Sequence, residues 1–391
     1  MTGSPASDAA YLARDAVDCL PEGGLQRKLA SGRPLRVKLG LDPTAPDVHL
    51  GHTVVLRKLR EFQNRGHVVV LIIGDYTARV GDPSGRSTTR PVLSGEQIDA
   101  NARTYVQQAA KVLDPDRIEL RHNSEWLDMK MEELFALTRT TTVAQLLERD
   151  DFSKRYAARE PISILELLYP LMQAYDSVAV RADVELGGTD QKFNLLLGRD
   201  VQRAYGIDEQ VALTMPILTG VDGVRKMSKS LGNHIGVSEP AQEIYGKTLS
   251  LPDAAMDGWY RLLLGEPAPA DMPPRDAKHA LARTLVERLH SAADASAAAA
   301  HFDRVFVQRA LPDEIAEASF DGSAASVHLP AVIASALGRS RSDARRLLDQ
   351  GAVRLDGVAL SSADIDIAAE RLDGAVLQVG KRGFRRLRRA G

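Results

Sequence analysis

Two kinds of apolar pattern take turns along the first half of this chain. Short strand-like runs, Leu35 to Leu39 and Val68 to Ile73, alternate with stretches of helical periodicity such as Thr53 to Phe62. That alternation predicts an α/β domain built on a doubly wound parallel sheet, with ligand at the carboxyl ends of the strands. From Thr104 to Asp183 the pattern is mostly helical and predicts an insertion into the sheet. A second helical stretch runs roughly from Glu239 to Phe320, most plainly at the amphipathic Ala280 to Leu289, and includes the Ala-rich Ser291 to His301. Beyond Leu329 the chain reads as two short helices, a glycine stop at Gly351 and a hairpin turned at Asp356-Gly357. The small polar segment Asp321 to Ser326 is the expected linker before that last module, and the Pro/Ala/Gly-rich Gly265 to Pro274 an expected loop. The predicted organisation is an α/β domain over 1–235 with its insertion at about 104–183, a helical domain over 236–322, and a small α+β domain over 326–391.

Composition sharpens this picture at a few points. With 391 residues, 44% of them hydrophobic, the chain can bury at least one sizeable core and has the length of two or three domains. It has no apolar run of about 18 residues, and Met1 to Ala10 is small and polar, so neither a membrane span nor a cleavable leader is expected and the expected location is cytoplasmic. A single cysteine, Cys19, rules out an intrachain disulfide and a cysteine cluster for structural zinc; no protein-bound metal is predicted. The net charge of −2 hides a local excess: residues 331–391 hold 11 Arg and 1 Lys against 7 Asp and Glu. Lys381 and Arg382 open a stretch to Arg389 without an acid, and Arg341 and Arg345, with Arg346 beside them, share one helix face. A phosphate backbone is the partner such a surface suits.

The chemistry-bearing residues fall in two separated motifs. In His49-Leu50-Gly51-His52 the histidines lie where a strand and a Pro/Gly/Asp turn give way to a helix. Free peptide N–H groups and the helix dipole at such a start favour phosphate, Gly51 permits close approach, and the imidazoles can donate to phosphate oxygens. Far downstream, Lys226-Met227-Ser228-Lys229-Ser230 sits in a glycine-punctuated loop. Two ammonium groups there can neutralise charge that develops as pyrophosphate leaves. Together the motifs supply two halves of a site for the triphosphate of ATP.

These two motifs resemble, nearly letter for letter, the signatures of the class I aminoacyl-tRNA synthetases, and the segment between them resembles the tyrosyl branch of that family, through about Leu35 to the C terminus. The resemblance implies a Rossmann-like catalytic domain, a helical anticodon-side domain, and a C-terminal RNA-binding module of the type named for ribosomal protein S four. It implies activation of L-tyrosine by ATP carrying Mg²⁺, transfer to tRNA(Tyr), and a homodimer whose interface lies in the helical insertion. Thr44, His49, His52, Lys226 and Lys229 are then the expected catalytic residues. Gly51, Asp190, Met227, Ser228, Arg86 and Arg90 are expected around ATP. On the helix after Leu168, Tyr169, Gln173 and Asp176 share a face; Asp176 can accept from the substrate phenol while Tyr169, Gln173 and Asp82 hold its ammonium group. Gln191 is expected near the reacting carboxyl group. Arg341, Arg345, Arg346, Lys381 and Arg382 are expected against tRNA. Three positions depart from the commoner tyrosyl pattern: Lys38 for tyrosine, Lys192 for tryptophan and Glu185 for glutamine. A second bacterial subgroup is similar at the first two, and no residue is assigned as a second contact to the substrate hydroxyl. A tryptophanyl enzyme, a small-molecule nucleotidyltransferase and a non-catalytic RNA-binding relative are the competing readings.

Overall fold

A computed structural model describes residues 3–43, 47–81, 94–307, 315–380 and 383–390. They form two compact units, Met1–Ala295 and Ser296–Gly391.

The first unit is organised by a six-stranded sheet made of β1 (Asp18–Leu20), β2 (Arg36–Leu41), β3 (Val68–Ile73), β4 (Ile118–His122), β5 (Val184–Gly188) and β6 (Val211–Met215), in the order β1-β6-β5-β2-β3-β4. β2 to β6 are parallel, and β1 pairs antiparallel with β6 at one edge. Val69 to Ile73 are wholly buried, which is why that strand reads as an unbroken apolar run. The chain moves outward from β2 to β3 and β4 on one side, then returns to place β5 and β6 on the other. Strand order therefore reverses between β2 and β5, leaving a crevice beyond their carboxyl ends.

The helix Leu50–Asn64 follows β2 and packs Leu56, Leu59 and Phe62 into the core, each burial stabilising by about 2 kcal/mol relative to exposure. It ends where Gly66 takes φ +86° and the His67 N–H reaches back to the Phe62 carbonyl. The helix Ile164–Ala179 lies just before β5, started by Ser163, whose hydroxyl accepts from the Leu165 N–H while Glu166 accepts from the Ser163 N–H.

The sheet and the doubly wound order match the expected α/β class, with three differences in organisation. β4 lies inside the stretch expected as a helical insertion; its sequence Ile-Glu-Leu-Arg-His is half-buried at an edge and carries a weak strand pattern, so residues 104–109 end the helix Gly95–Ala109 before it and the inserted helices start at Ser124 after it. The break expected near residue 236 does not separate compact units. The Leu50 N–H bonds the Ile235 carbonyl, the Val237 N–H bonds the Val48 carbonyl, and Lys111 Nζ bonds the carbonyls of Val237 and Leu289, tying the helical stretch to the sheet's unit. Asp321 to Ser326, expected as a linker, lies instead within the second unit between two strands.

That second unit carries a five-stranded sheet and a two-stranded one, formed by β7 (Glu317–Asp321), β8 (Ser326–His328), β9 (Val353–Leu355), β10 (Val358–Leu360), β11 (Asp366–Ala368), β12 (Val376–Val379) and β13 (Gly383–Ala390). β9 and β10 form the expected hairpin, with Asp356 and Gly357 at φ +47° and +82° as a two-residue turn of this hand requires. Two short helices, Leu329–Leu337 and Arg341–Asp349, cover the sheet through Leu329, Ile333, Ala344 and Leu348.

Candidate active site

The histidine turn and the lysine loop meet at the mouth of the crevice. His49 is the extended residue preceding the helix Leu50–Asn64, and its N–H donates to Nδ1 of His52 at 3.2 Å. A ring that accepts at Nδ1 carries its proton on Nε2, so His52 is set as an Nε2–H donor. Burial above all, with the neighbouring imidazole and Lys229 adding to it, pushes His49 down to about 2; burial and then Lys229 push His52 down to about 4. Both rings are neutral donors at physiological pH, and positive charge must come from elsewhere. The lysine loop brings it. Residues 235–237 bridge the histidine turn, Lys229 Nζ donates to the Asp47 carbonyl, and Met227 is buried with its Cβ 3.7 Å from where a Cβ on Gly51 would stand. Lys226 Nζ lies 3.5 Å from Asp190 at the end of β5. Burial draws the Lys229 ammonium below its ordinary range, with Asp47 opposing.

A residue unmarked in the sequence shapes this loop. Asn233, almost fully buried, accepts from the Ser228 N–H at 2.8 Å and donates to Asp222 at 2.9 Å and to the Lys226 carbonyl at 3.1 Å. Gly220 is needed beside it, since a Cβ there would fall 2.3 Å from the Asn233 amide. Ser228 and Ser230 share a hydrogen bond at 2.9 Å.

Across the crevice, the helix Ile164–Ala179 presents Tyr169, Gln173 and Asp176 as expected, each now with a partner. The Tyr169 hydroxyl donates to Asp42 Oδ2 at 2.8 Å, and Thr77 donates to the other Asp42 oxygen at 2.7 Å. Gln173 Nε2 donates to Glu185 at 3.1 Å while its Oε1 accepts from Asn194 at 2.7 Å. Gln191 Oε1 accepts from the same Asn194 amide at 3.3 Å. Asp176 is buried, and Trp126 Nε1 donates to its Oδ1 at 2.8 Å. Burial lifts the Asp176 carboxyl to about 7, against the pull of the Lys38 charge and the Trp126 hydrogen bond, with Glu185 and Asp42 lifting it further. Trp126 and Asp42 were not singled out from the sequence. Trp126 precedes the start of the pocket helix by 38 residues in the chain, and Asp42 sits in a turn where an acid is ordinary.

Lys38 and Glu185, the two departures on the inner strands, prove to be partners. Their Cα atoms are in register on β2 and β5, and both side chains are buried with Nζ and Oε1 2.9 Å apart. Lys192 pairs with Asp18 at 2.6 Å instead.

In the second unit Arg341, Arg345 and Arg346 are exposed on the helix Arg341–Asp349, whose other face buries Ala344 and Leu348. Arg346 pairs with Asp343, and Arg345 approaches His328 Nε2 at 3.4 Å while His328 Nδ1 meets Asp366 at 2.8 Å. The basic stretch after residue 382 is not a loose tail: it forms β13, with Arg385 and Arg386 bonding carbonyls and Arg388 pairing with Glu317. Thr44, Asp82, Arg86, Arg90, Lys381 and Arg382 lie outside the described residues.

Sheet, histidine turn and lysine loop together have the form of a class I tRNA synthetase core. The family model for class I tRNA synthetases (W and Y) matches residues 30–307. Tyrosine–tRNA ligase from Moorella thermoacetica is 52% identical over 96% of this chain and 94% of its own length. The ligase from Thermotoga maritima is 48% identical over 98% of both. In fold, the chain is similar to a C-terminally truncated mitochondrial tyrosyl-tRNA synthetase from Aspergillus nidulans, with a TM-score of 0.65 over 78% of this chain and 95% of that one at 24% identity. It is similar also to tyrosyl-tRNA synthetase from Aeropyrum pernix, with a TM-score of 0.62 over 78% and 98% at 22% identity. The chain belongs to the tyrosyl-tRNA synthetase family.

Proposed function

We infer that this chain is a tyrosine–tRNA ligase, and that the crevice between β2 and β5 is where it activates the amino acid. The tyrosine carboxylate attacks the α-phosphate of ATP, the bond to pyrophosphate breaks, and tyrosyl-adenylate forms; the 3′-terminal ribose hydroxyl of tRNA(Tyr) then takes the tyrosyl group and releases AMP. The full-length likeness to tyrosine–tRNA ligases supports this reading over a tryptophanyl or nucleotidyltransferase one. The observation that carries the substrate choice is Asp176: a buried carboxylate with one oxygen held by Trp126 leaves the other to accept a phenol. A phenylalanine side chain would leave that acceptor unpaired.

On this reading Tyr169, Gln173 and Asp82 bind the ammonium group, and Gln191 lies by the carboxyl group. Asp190 binds the ribose, and Gly51, Met227 and Ser228 line the nucleotide. Thr44 and His49 meet the γ-phosphate, His52 the nucleotide, and Arg86 and Arg90 lie near pyrophosphate. Lys226 and Lys229 clamp the departing pyrophosphate, exchanging Asp190 and the Asp47 carbonyl for phosphate oxygens. Mg²⁺ arrives on ATP and shares the phosphate charge. No side chain becomes covalent, so catalysis is charge placed where it develops.

Two assemblies complete the proposal. Arg341, Arg345 and Arg346 face the phosphates of tRNA, with Lys381 and Arg382 adding to them. The chain acts as a homodimer through the helices 131–165, where Met131, Phe135, Val143, Tyr156 and Ile164 are each more than half exposed, an apolar surface suited to a second copy.

The test is ATP–pyrophosphate exchange, without tRNA, with each of the twenty amino acids, for the wild type and Asp176→Ala. Exchange that depends on tyrosine in the wild type, and that in the variant no longer strongly prefers tyrosine over phenylalanine, supports the reading; wild-type exchange driven by another amino acid overturns the pocket.

A further inference from the structure

A line of four side chains behind the pocket has both of its ends fixed in polarity. At one end Arg149, which can only donate, gives Nη1–H to Asn194 Oδ1 at 3.2 Å. Asn194 Nδ2 therefore donates onward, to Gln173 Oε1 at 2.7 Å, and Gln173 Nε2 in turn donates to Glu185 Oε1 at 3.1 Å. At the far end Glu185 takes donors on both oxygens: Lys38 Nζ at 2.9 Å and Gln173 on one, Ser177 at 3.0 Å and Gln210 Nε2 on the other. A carboxylate so supplied is an acceptor only. With a pure donor at one end and a pure acceptor at the other, neither amide can turn over without creating two clashes of like polarity.

The packing around the far end is equally determined. Lys38 spends its three N–H bonds on Glu185, on the Ser177 hydroxyl at 2.8 Å and on the Gln173 backbone carbonyl at 2.9 Å. Both Lys38 and Glu185 are shut away from water, so neither charge is tolerable without the other. Gly198 leaves room for the arrangement, since a Cβ there would stand 2.5 Å from Gln210 Nε2 and 3.3 Å from Glu185 Oε2.

We propose that Lys38, Glu185 and Arg149 are positioning residues that lock the Gln173 amide with its carbonyl oxygen, not its NH₂, toward the substrate, and so set the enzyme's preference for an amino acid over the same acid lacking the ammonium group. The proposal rests on the reading of Gln173 as a ligand of that ammonium. None of the three needs to touch tyrosine. An amide turned the other way would present N–H donors to an ammonium that can only donate, converting an attraction into a repulsion. The neighbouring Tyr169 hydroxyl is oriented as well, its hydrogen going to Asp42. The lysine–glutamate pair on the two inner strands thus has a function in recognition, which its complete burial alone would not require.

The experiment compares tyrosine with 3-(4-hydroxyphenyl)propionate, which keeps the phenol and carboxylate and lacks the ammonium, as ligands of the full-length enzyme by equilibrium binding. The ratio of their dissociation constants is the readout. Lys38→Met/Glu185→Leu removes both charges together and should lower that ratio at least about tenfold by weakening tyrosine, with the propionate bound within about twofold of wild type. Arg149→Met, at the opposite end of the line, should lower it in the same sense, and it keeps the proposal open to test if the double variant does not fold. Lys38→Met/Glu185→Gln, which keeps an acceptor oxygen for Gln173 without leaving a lone buried charge, should restore most of the ratio. A ratio unchanged in a folded double variant, or in Arg149→Met where only that folds, overturns the proposal, as does equal weakening of both ligands, the mark of a merely structural role. Gln173→Ala separates the two layers: a wild-type ratio there would show that Gln173 is not the ammonium ligand, and the pocket reading beneath the proposal would fail first.

Discussion

The two sides of the crevice are built on opposite plans. On the phosphate side the charged groups are held by replaceable partners: Lys229 rests on a backbone carbonyl and Lys226 on the partly exposed Asp190. On the amino-acid side nearly every polar atom is committed, Asp176 to Trp126, Tyr169 to Asp42, Gln173 to both Glu185 and Asn194. The histidines belong to the first plan, since they are uncharged and offer only N–H dipoles. On the proposed reading, the difference follows from what each side must do. A cation that answers charge appearing in the transition state has to be able to leave its resting partner, whereas a pocket that rejects near-identical ligands has to hold its donors and acceptors in one arrangement.

The sharpest way to break this contrast is Asp176→Ala. The account expects the preference for tyrosine over phenylalanine in pyrophosphate exchange to fall by roughly 10² to 10³, because the buried acceptor that penalises phenylalanine is gone. Next in size, Lys229→Ala should slow adenylate formation by roughly 10²-fold in a single-turnover assay and leave tyrosine affinity alone. Protonation sharpens the comparison on a smaller scale. With the Asp176 carboxyl at about 7 in the ligand-free protein, lowering the pH from 8 to 6 protonates it, and tyrosine should bind several-fold more weakly while phenylalanine does not change. The stability effect has the opposite sign. A carboxyl raised from its ordinary value of 3.8 makes the ligand-free fold progressively less stable as pH climbs from 4 through 7, so thermal melts of Asp176→Asn should gain on the wild type at pH 8 and lose that gain at pH 4. Smallest, Arg341→Ala should weaken tRNA binding uniformly and reduce the slope of log affinity against log salt by about 1, with pyrophosphate exchange untouched.

How much of this was open to reading from the sequence depended on whether the signal was local. The histidine turn, the lysine loop and the Tyr169/Gln173/Asp176 face are each contiguous or helically spaced, and the unbroken apolar run of β3 announces a central parallel strand. β4 was hidden because an edge strand with half-buried residues leaves little pattern. Asp321 to Ser326 has the composition of a linker, but β7 pairs in parallel with the distant β13, and no local signal encodes a partner some 70 residues away. The pocket's supporting groups were hidden for the same reason. Trp126 reaches Asp176 from 50 residues upstream, and Lys38 meets Glu185 only because β2 and β5 are neighbours. Read singly, Lys38 and Glu185 are two unexplained departures; in register they neutralise one another.

The claim that chemistry and recognition are divided between the two sides is tested most directly by single-turnover adenylate formation across a range of tyrosine concentrations, in Lys229→Ala and Tyr169→Phe. The account predicts that Lys229→Ala lowers the plateau rate and keeps the half-saturating tyrosine concentration, while Tyr169→Phe raises that concentration roughly tenfold and keeps the plateau. If either variant moves both quantities by comparable factors, the division does not hold.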